Sequence, residues 1–303
     1  MLKKIAHLIF FGNYFYGFCT VALAIEASLQ QEAQLNNLSF YLALYFATII
    51  YYTYAYIQER DAPIYNKRTE WYAQNRRLVR ITQLLYLIIC IAIGIYLLNL
   101  YKEKIFIITP WQLAILAVTG MVSLSYYGIP KKLPDFFNIR NTGWFKPFAI
   151  GLIWATVVTY VPILWSQVEQ HTTYKFSPEN GWFFVKNFMY ISLLAILFDI
   201  KDYAADHNRR LKTFVVRAGL RKTIFLIIIP LSLLGLVSLL LFASSMHFPW
   251  LRIAINCIPF ICLIIVALSM QQRKSIIYYL AVIDGLMLLK ALCGIAAWML
   301  LNK

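Results

Sequence analysis

Asp199, Asp202 and Asp206 recur at i, i+3 and i+7 in the stretch Phe198-Asp199-Ile200-Lys201-Asp202-Tyr203-Ala204-Ala205-Asp206. On a helix that spacing puts all three carboxylates on one stripe, within about 60° of each other. Like charges on one stripe repel. At the foot of a membrane span each also carries a desolvation cost, roughly 2.5–3.5 kcal/mol at mid-bilayer and less at the interface. A divalent cation turns that liability into a ligand set. Hard oxygen ligands suit Mg²⁺, which commonly bridges one or two carboxylates to substrate phosphates. Arg209, Arg210 and Lys212 follow closely and are suited to meet phosphate oxygens. A plainer arrangement stays open: a solvated helix end whose aspartates pair with Lys201 and Arg209.

The elements that must position these groups are membrane helices. Of the 303 residues, 61% are hydrophobic and 14% charged, against about half and a quarter in soluble domains. Runs near the ~20 residues that a helix needs to cross a bilayer recur along the chain. They lie at Ile5–Ile25, Leu38–Ile57, Ile81–Leu100, Trp111–Tyr127, Phe145–Trp165, Gly181–Phe198, Thr223–Phe242, Leu251–Met270 and Ile276–Leu301. They do not alternate as barrel strands do. The expectation is an all-α bundle of nine transmembrane helices forming one membrane domain over residues 1–303.

Basic residues set its orientation. Arg60, Lys67, Arg68, Arg76, Arg77 and Arg80 follow the second span, and the loop after the sixth is as basic. The opposite side has only Lys102, Lys104, Lys175, Arg252 and Lys303. This bias predicts a cytoplasmic N-terminus, with loops 53–80 and 199–222 also cytoplasmic. The expected location is a membrane such as the bacterial inner membrane. Lys3 and Lys4 followed by an apolar stretch imitate a cleavable signal, but Asn13, Tyr14 and Tyr16 make that stretch polar for one, so it reads as the first span. The net charge of +15 sits in short loops, which favours anionic lipids or a phosphorylated substrate as partners over nucleic acid. Cys19, Cys90, Cys257, Cys262 and Cys293 all fall in apolar runs and read as small buried side chains.

The stretch from Asp199 to Gly219 resembles the second aspartate motif of the UbiA superfamily of membrane-embedded prenyltransferases, with Asp199, Asp202, Asp206, Lys212, Thr213 and Gly219 in register. Arg210 stands where the family usually has glycine. Tyr126-Tyr127-Gly128-Ile129-Pro130, with Lys131, Lys132 and Leu133, is similar to the family's tyrosine–proline–lysine stretch, and Lys146 and Trp154 to its next landmark. The resemblance implies nine helices with both motif loops cytoplasmic. It also implies transfer of an isoprenyl group from a prenyl diphosphate to a lipophilic or aromatic acceptor. Asp202 and Asp206, with Asp199 near, would hold Mg²⁺, while Lys212, Lys146 and Arg68 would assist electrostatically. Tyr54, Tyr126 and Trp154 would shield an allylic cation, and Thr213 would help bind the diphosphate.

The family's first motif is degenerate here. Thr53 replaces its asparagine, Tyr54 its first aspartate and Ile57 its second, leaving only Asp61, while Arg68 coincides with a family arginine. Tyr and Ile cannot stand in for carboxylate ligands. Glu59 and Asp61 supply the missing ligands through a local shift, or one metal serves altered chemistry, or transfer has been lost and a lipid-binding protein remains on the scaffold. Three further ionisable groups lie within spans. Asp284 lines the same cavity or is a buried hydrogen-bonding group. Lys290, six residues on, points to another face, and Lys186 is expected to snorkel. A transporter using these three as relays is a third class, which no broken pair of spans supports.

Overall fold

The computed structural model describes residues 2–58, 67–127, 139, 143–173, 177–203, 213–272 and 274–300. Among them the chain is all-helical. In chain order the helices are α1 (Leu2–Phe11), α2 (Tyr14–Gln30), α3 (Leu38–Gln58), α4 (Lys67–Gln74), α5 (Arg76–Leu100), α6 (Pro110–Tyr126), α7 (Lys146–Gln170), α8 (Pro178–Asp199), α9 (Phe214–Ala218), α10 (Leu220–Ser245), α11 (Trp250–Ser269) and α12 (Ile276–Met299). Seven are long and apolar enough to cross a membrane: α3, α5, α7, α8, α10, α11 and α12. Counting α1 and α2 as one bent span makes eight. The chain thus has the character of a multi-pass integral membrane protein.

Sequence signals start several helices. Thr109 and Gln112 form a capping box ahead of α6, with Pro110 in the first turn, and Ser177 and Asn180 do the same for α8 with Pro178. Thr213 and Ser275 accept from the backbone N–H groups of Val216 and Tyr278. Wide π-type turns interrupt α7 at Thr156–Tyr160 and α10 at Thr223–Ile228, just before Pro162 and Pro230. A proline has no N–H and its ring crowds the carbonyl four residues back, and a wider turn relieves both faults.

Burial separates the central helices from the peripheral ones. In α8 67% of the apolar stretch is buried, in α5 only 6%. Leu84, Ile88, Ile91 and Ile95 on α5 are therefore left for lipid. The core gathers Leu23, Trp154, Tyr190, Leu197, Ile224, Leu263 and Leu280 from α2, α7, α8, α10, α11 and α12. Helix α12 packs back onto α2, so the last span closes against the first.

Where α7 meets α8 the backbones come close because Gly151 has no side chain. A Cβ there would lie 2.1 Å from Ser192 Oγ and 2.9 Å from the Phe188 carbonyl oxygen. Small residues allow such approaches in membrane bundles. Gly151→Ala is expected to destabilise the bundle by about 1–3 kcal/mol, since a backbone carbonyl cannot move aside. Thermal unfolding in detergent would test this, and an unchanged midpoint would contradict the packing.

Candidate functional site

The aspartate stripe begins where α8 ends. Asp199 is the last residue of α8, and a tight 3₁₀ turn carries the chain through Ile200–Asp202. Asp199 is almost wholly buried. One carboxylate oxygen, Oδ1, accepts from Lys146 Nζ at 2.5 Å, while Oδ2 has no hydrogen-bond partner among the described residues. Lys146 opens α7, so the pair ties the starts and ends of the two most closely packed helices. Tyr126 and Asp202 lie near enough to act on this ammonium electrostatically. Asp202 is nearly half exposed, and Lys201 Nζ sits 3.3 Å from its Oδ2. Asp206 and Lys212 fall outside the described residues, as do Glu59 and Asp61. Thr213 is described and serves as the N-cap of α9.

An aromatic wall stands beside these groups. The Trp154 indole N–H donates to the Tyr52 hydroxyl at 2.5 Å, and the Tyr52 ring stacks on Tyr16 at 4.4 Å. Tyr16 in turn donates to Asp284 Oδ2 at 2.6 Å. Asp284 is thus buried and hydrogen-bonded, and its carboxylate stays within electrostatic reach of Arg68 and Lys201. Tyr54 and Tyr126 both pack against Tyr127, with ring centroids 5.8 and 5.1 Å away. Tyr51 touches both Tyr127 and Tyr52, so Tyr54, Tyr126 and Trp154, the rings named from the sequence, belong to one continuous run of aromatic contacts.

The stretch around Thr53 has a specific structural use. Asn13 sits fully buried at the 56° bend between α1 and α2, in a left-handed conformation with φ of 65°. Its side-chain amide donates to Thr53 Oγ1 at 2.9 Å and to the Tyr72 hydroxyl at 3.1 Å, and its carbonyl oxygen accepts from Arg68. The Tyr72 hydroxyl in turn donates to the Phe11 carbonyl at 2.6 Å. The Arg68 guanidinium lies 4.5 Å over the Tyr56 ring, adding a cation–π contact. Burial pushes the Tyr72 phenol up to about 12, so it stays protonated and able to donate. Thr53 thus accepts within a hydrogen-bond network that centres on Asn13, includes the Arg68 guanidinium and holds the bend between the first two helices. Arg68 is held in that network by Asn13 and the Tyr56 ring.

Sequence reasoning missed a second charged pair deeper in the bundle. Lys290 Nζ on α12 lies 2.8 Å from Glu26 Oε2 on α2, and both are buried. Lys186, expected to snorkel, is instead buried, with its ammonium 4.1 Å above the Phe183 ring and 5.1 Å from that of Trp182. Its stem is buried, and its ammonium faces a cavity near the start of α8. The five cysteines are all free.

No family model, curated protein or solved structure matches the chain. The likeness to UbiA prenyltransferases rests on the motif residues themselves.

Among the described residues no three His, Cys, Asp or Glu side chains converge as a metal cage. The fit of Mg²⁺ depends on fewer protein ligands. Asp199 offers one buried oxygen with no partner, and Asp202 offers an accessible carboxylate half a turn to one turn away. That suits a hard ion that keeps waters and takes its remaining ligands from a diphosphate.

Proposed function

We propose that the chain is a UbiA-like membrane protein that binds an isoprenyl diphosphate at the Asp199 end of the bundle and transfers the prenyl group to a lipophilic or aromatic acceptor. The observation that carries this reading is the group formed by Lys146, Asp199 and Asp202 at the foot of the most buried helix. In this reading the bundle has nine spans. The bent α1–α2 pair counts as one, and α6, at 17 residues, reaches the lower end of the usual range as another. The N-terminus and the Asp199 end face the cytoplasm of a bacterial inner membrane.

Asp202 and Asp206, with the open oxygen of Asp199, would hold Mg²⁺, which when bound offsets charge on the departing diphosphate. Lys146 pairs with the other oxygen of Asp199 and so offsets part of the cost of burying a carboxylate beside the site. The allylic C–O bond breaks with its electron pair leaving on the diphosphate. The acceptor's nucleophilic atom then bonds to the allylic carbon and releases a proton. Trp154, Tyr52 and Tyr16 offer faces that exclude water and favour positive charge nearby. Such a substrate needs helices around its tail, which accounts for a site built inside a bundle.

A second reading draws on a different observation. The Asn13–Thr53–Tyr72–Arg68 network fills the place of the first motif with structural hydrogen bonds, which favours a protein that keeps the scaffold and binds the lipid diphosphate without transfer. The discriminating experiment uses purified full-length protein in lipid nanodiscs with Mg²⁺, radiolabelled isoprenyl diphosphate and a membrane lipid extract. Transfer predicts label in a new organic-soluble product. Saturable binding without that product supports the second reading. Absence of both defeats the two together.

A further inference from the structure

We propose that the cavity at the end of the bundle opposite Asp199 is an oxyanion subsite that takes a phosphate group, with Lys186 as its charge partner. The cavity has a volume of about 220 Å³ and lies among the end of α2, the start of α8, the end of α10 and the start of α11. One water needs only roughly 10–15 Å³ in such a space, so a headgroup-sized anion has room.

Charge is the reason for an anion. Lys186 lines the cavity and is more than nine-tenths buried, yet among the described residues no carboxylate lies within ion-pairing distance of it. The nearest buried acid, Glu26, is already taken by Lys290 at 2.8 Å. The Lys290 ammonium lies 5.5 Å from the centroid of Phe183, the ring that also carries Lys186, so two basic side chains meet at one ring with one carboxylate nearby. Cation–π contacts return less than an unpaired buried charge costs.

Arg252 enters the same cavity from α11. Its Nη2 donates to Gln30 Oε1 at 3.0 Å, its guanidinium lies 3.8 Å over the Phe248 ring, and its Nε has no hydrogen-bond partner among the described residues. Glu32 and Glu179 stand at the rim, exposed, with Glu32 within electrostatic reach of Arg252. The two ionisable side chains that line the less exposed part of the cavity, Lys186 and Arg252, are both basic. Two cations from different helices suit a group with more than two acceptor oxygens, and Trp182 and Phe242, stacked at 4.0 Å, supply an apolar wall for whatever the phosphate is attached to. The phosphate is that of a lipid headgroup or one free in solution. This subsite is independent of the diphosphate site at the other end.

The test compares delipidated wild-type protein in neutral detergent with Lys186→Met, Lys186→Arg and Arg252→Gln. Each is titrated with phosphatidylglycerol, with phosphatidylcholine and with inorganic phosphate, binding being read by native mass spectrometry and thermal shift. Lys186→Met is expected to weaken binding about tenfold or more, as loss of a charge-assisted hydrogen bond does, with Lys186→Arg restoring most of it. Loss confined to phosphatidylglycerol assigns the phosphate to a lipid headgroup. Loss seen with inorganic phosphate as well assigns it to solution. Should Lys186→Met not fold, Arg252→Gln at the half-buried mouth carries the same expectation. Equal binding by wild type and every folded variant overturns the proposal.

Discussion

Lys290→Met is expected to destabilise the folded bundle by about 3–5 kcal/mol, and Glu26→Gln added to it to recover most of that loss. The cost arises because Glu26 is left as a lone carboxylate in the middle of the helices, where neither water nor another described cation reaches it at ion-pair distance. Removing both charges leaves a neutral amide beside a methionine of similar length, and a buried ion pair replaced as a pair is close to neutral in stability. Geometry makes the pair unforgiving. Glu26 lies directly on Gly294 of α12, where a Cβ would come within 2.4 Å of its Cγ and 2.7 Å of Oε1. One turn along α2, the Gln30 side-chain amide donates to the Gly294 carbonyl at 2.9 Å. The closure of the last span on the first is therefore built around this glycine and these two polar side chains. Chemical unfolding of the two single variants and the double variant in micelles forms a double-mutant cycle. A Lys290→Met protein as stable as wild type would mean that the pair is not formed.

The large features of this architecture were legible because they follow from one requirement. A helix that crosses lipid needs about twenty apolar residues, and the runs at Leu38–Ile57, Gly181–Phe198 and Leu251–Met270 became helices over nearly those bounds. The bend at Gly12 and Asn13 was not legible. Asn13 holds a left-handed conformation only because Thr53, Arg68 and Tyr72, 40 to 59 residues away, occupy its side chain. For the same reason the role of the Thr53 hydroxyl as a buried acceptor for Asn13 could not be read from the sequence. Glu26 was missed by one position, since the first apolar run was read as ending at Ile25. An isolated Lys290 inside a span was the signal that a partner carboxylate had to exist on another helix. Lys186 illustrates a different gap. Snorkelling is a matter of what surrounds the stem, and only the packing shows that the Lys186 ammonium rests beside Trp182 and Phe183 instead of in open water.

Substituting the aspartates one at a time is expected to separate chemistry from scaffold. Asp202→Ala or Asp206→Ala should abolish Mg²⁺-dependent binding of an isoprenyl diphosphate while leaving the unfolding midpoint nearly unchanged. Asp202 is nearly half exposed, and the lysine 3.3 Å away is its own neighbour in sequence, so the pair contributes little, about 0–1 kcal/mol. Asp199 should behave otherwise. Its side chain is buried and one oxygen is bound to Lys146, so Asp199→Ala strands an ammonium between α7 and α8 and lowers stability as well as binding. Lys146→Met should show the mirror image, stranding the carboxylate. Titration with the diphosphate in the presence of Mg²⁺ or EDTA, run beside unfolding curves for the same variants, reads both effects. Full Mg²⁺-dependent binding in both Asp202→Ala and Asp206→Ala would remove the metal assignment and with it the transferase reading, leaving Asp199 as part of the helix packing alone. Loss of binding without loss of stability at those two positions, against loss of both at Asp199, is the pattern that a metal-assisted diphosphate site seated on a structural ion pair requires.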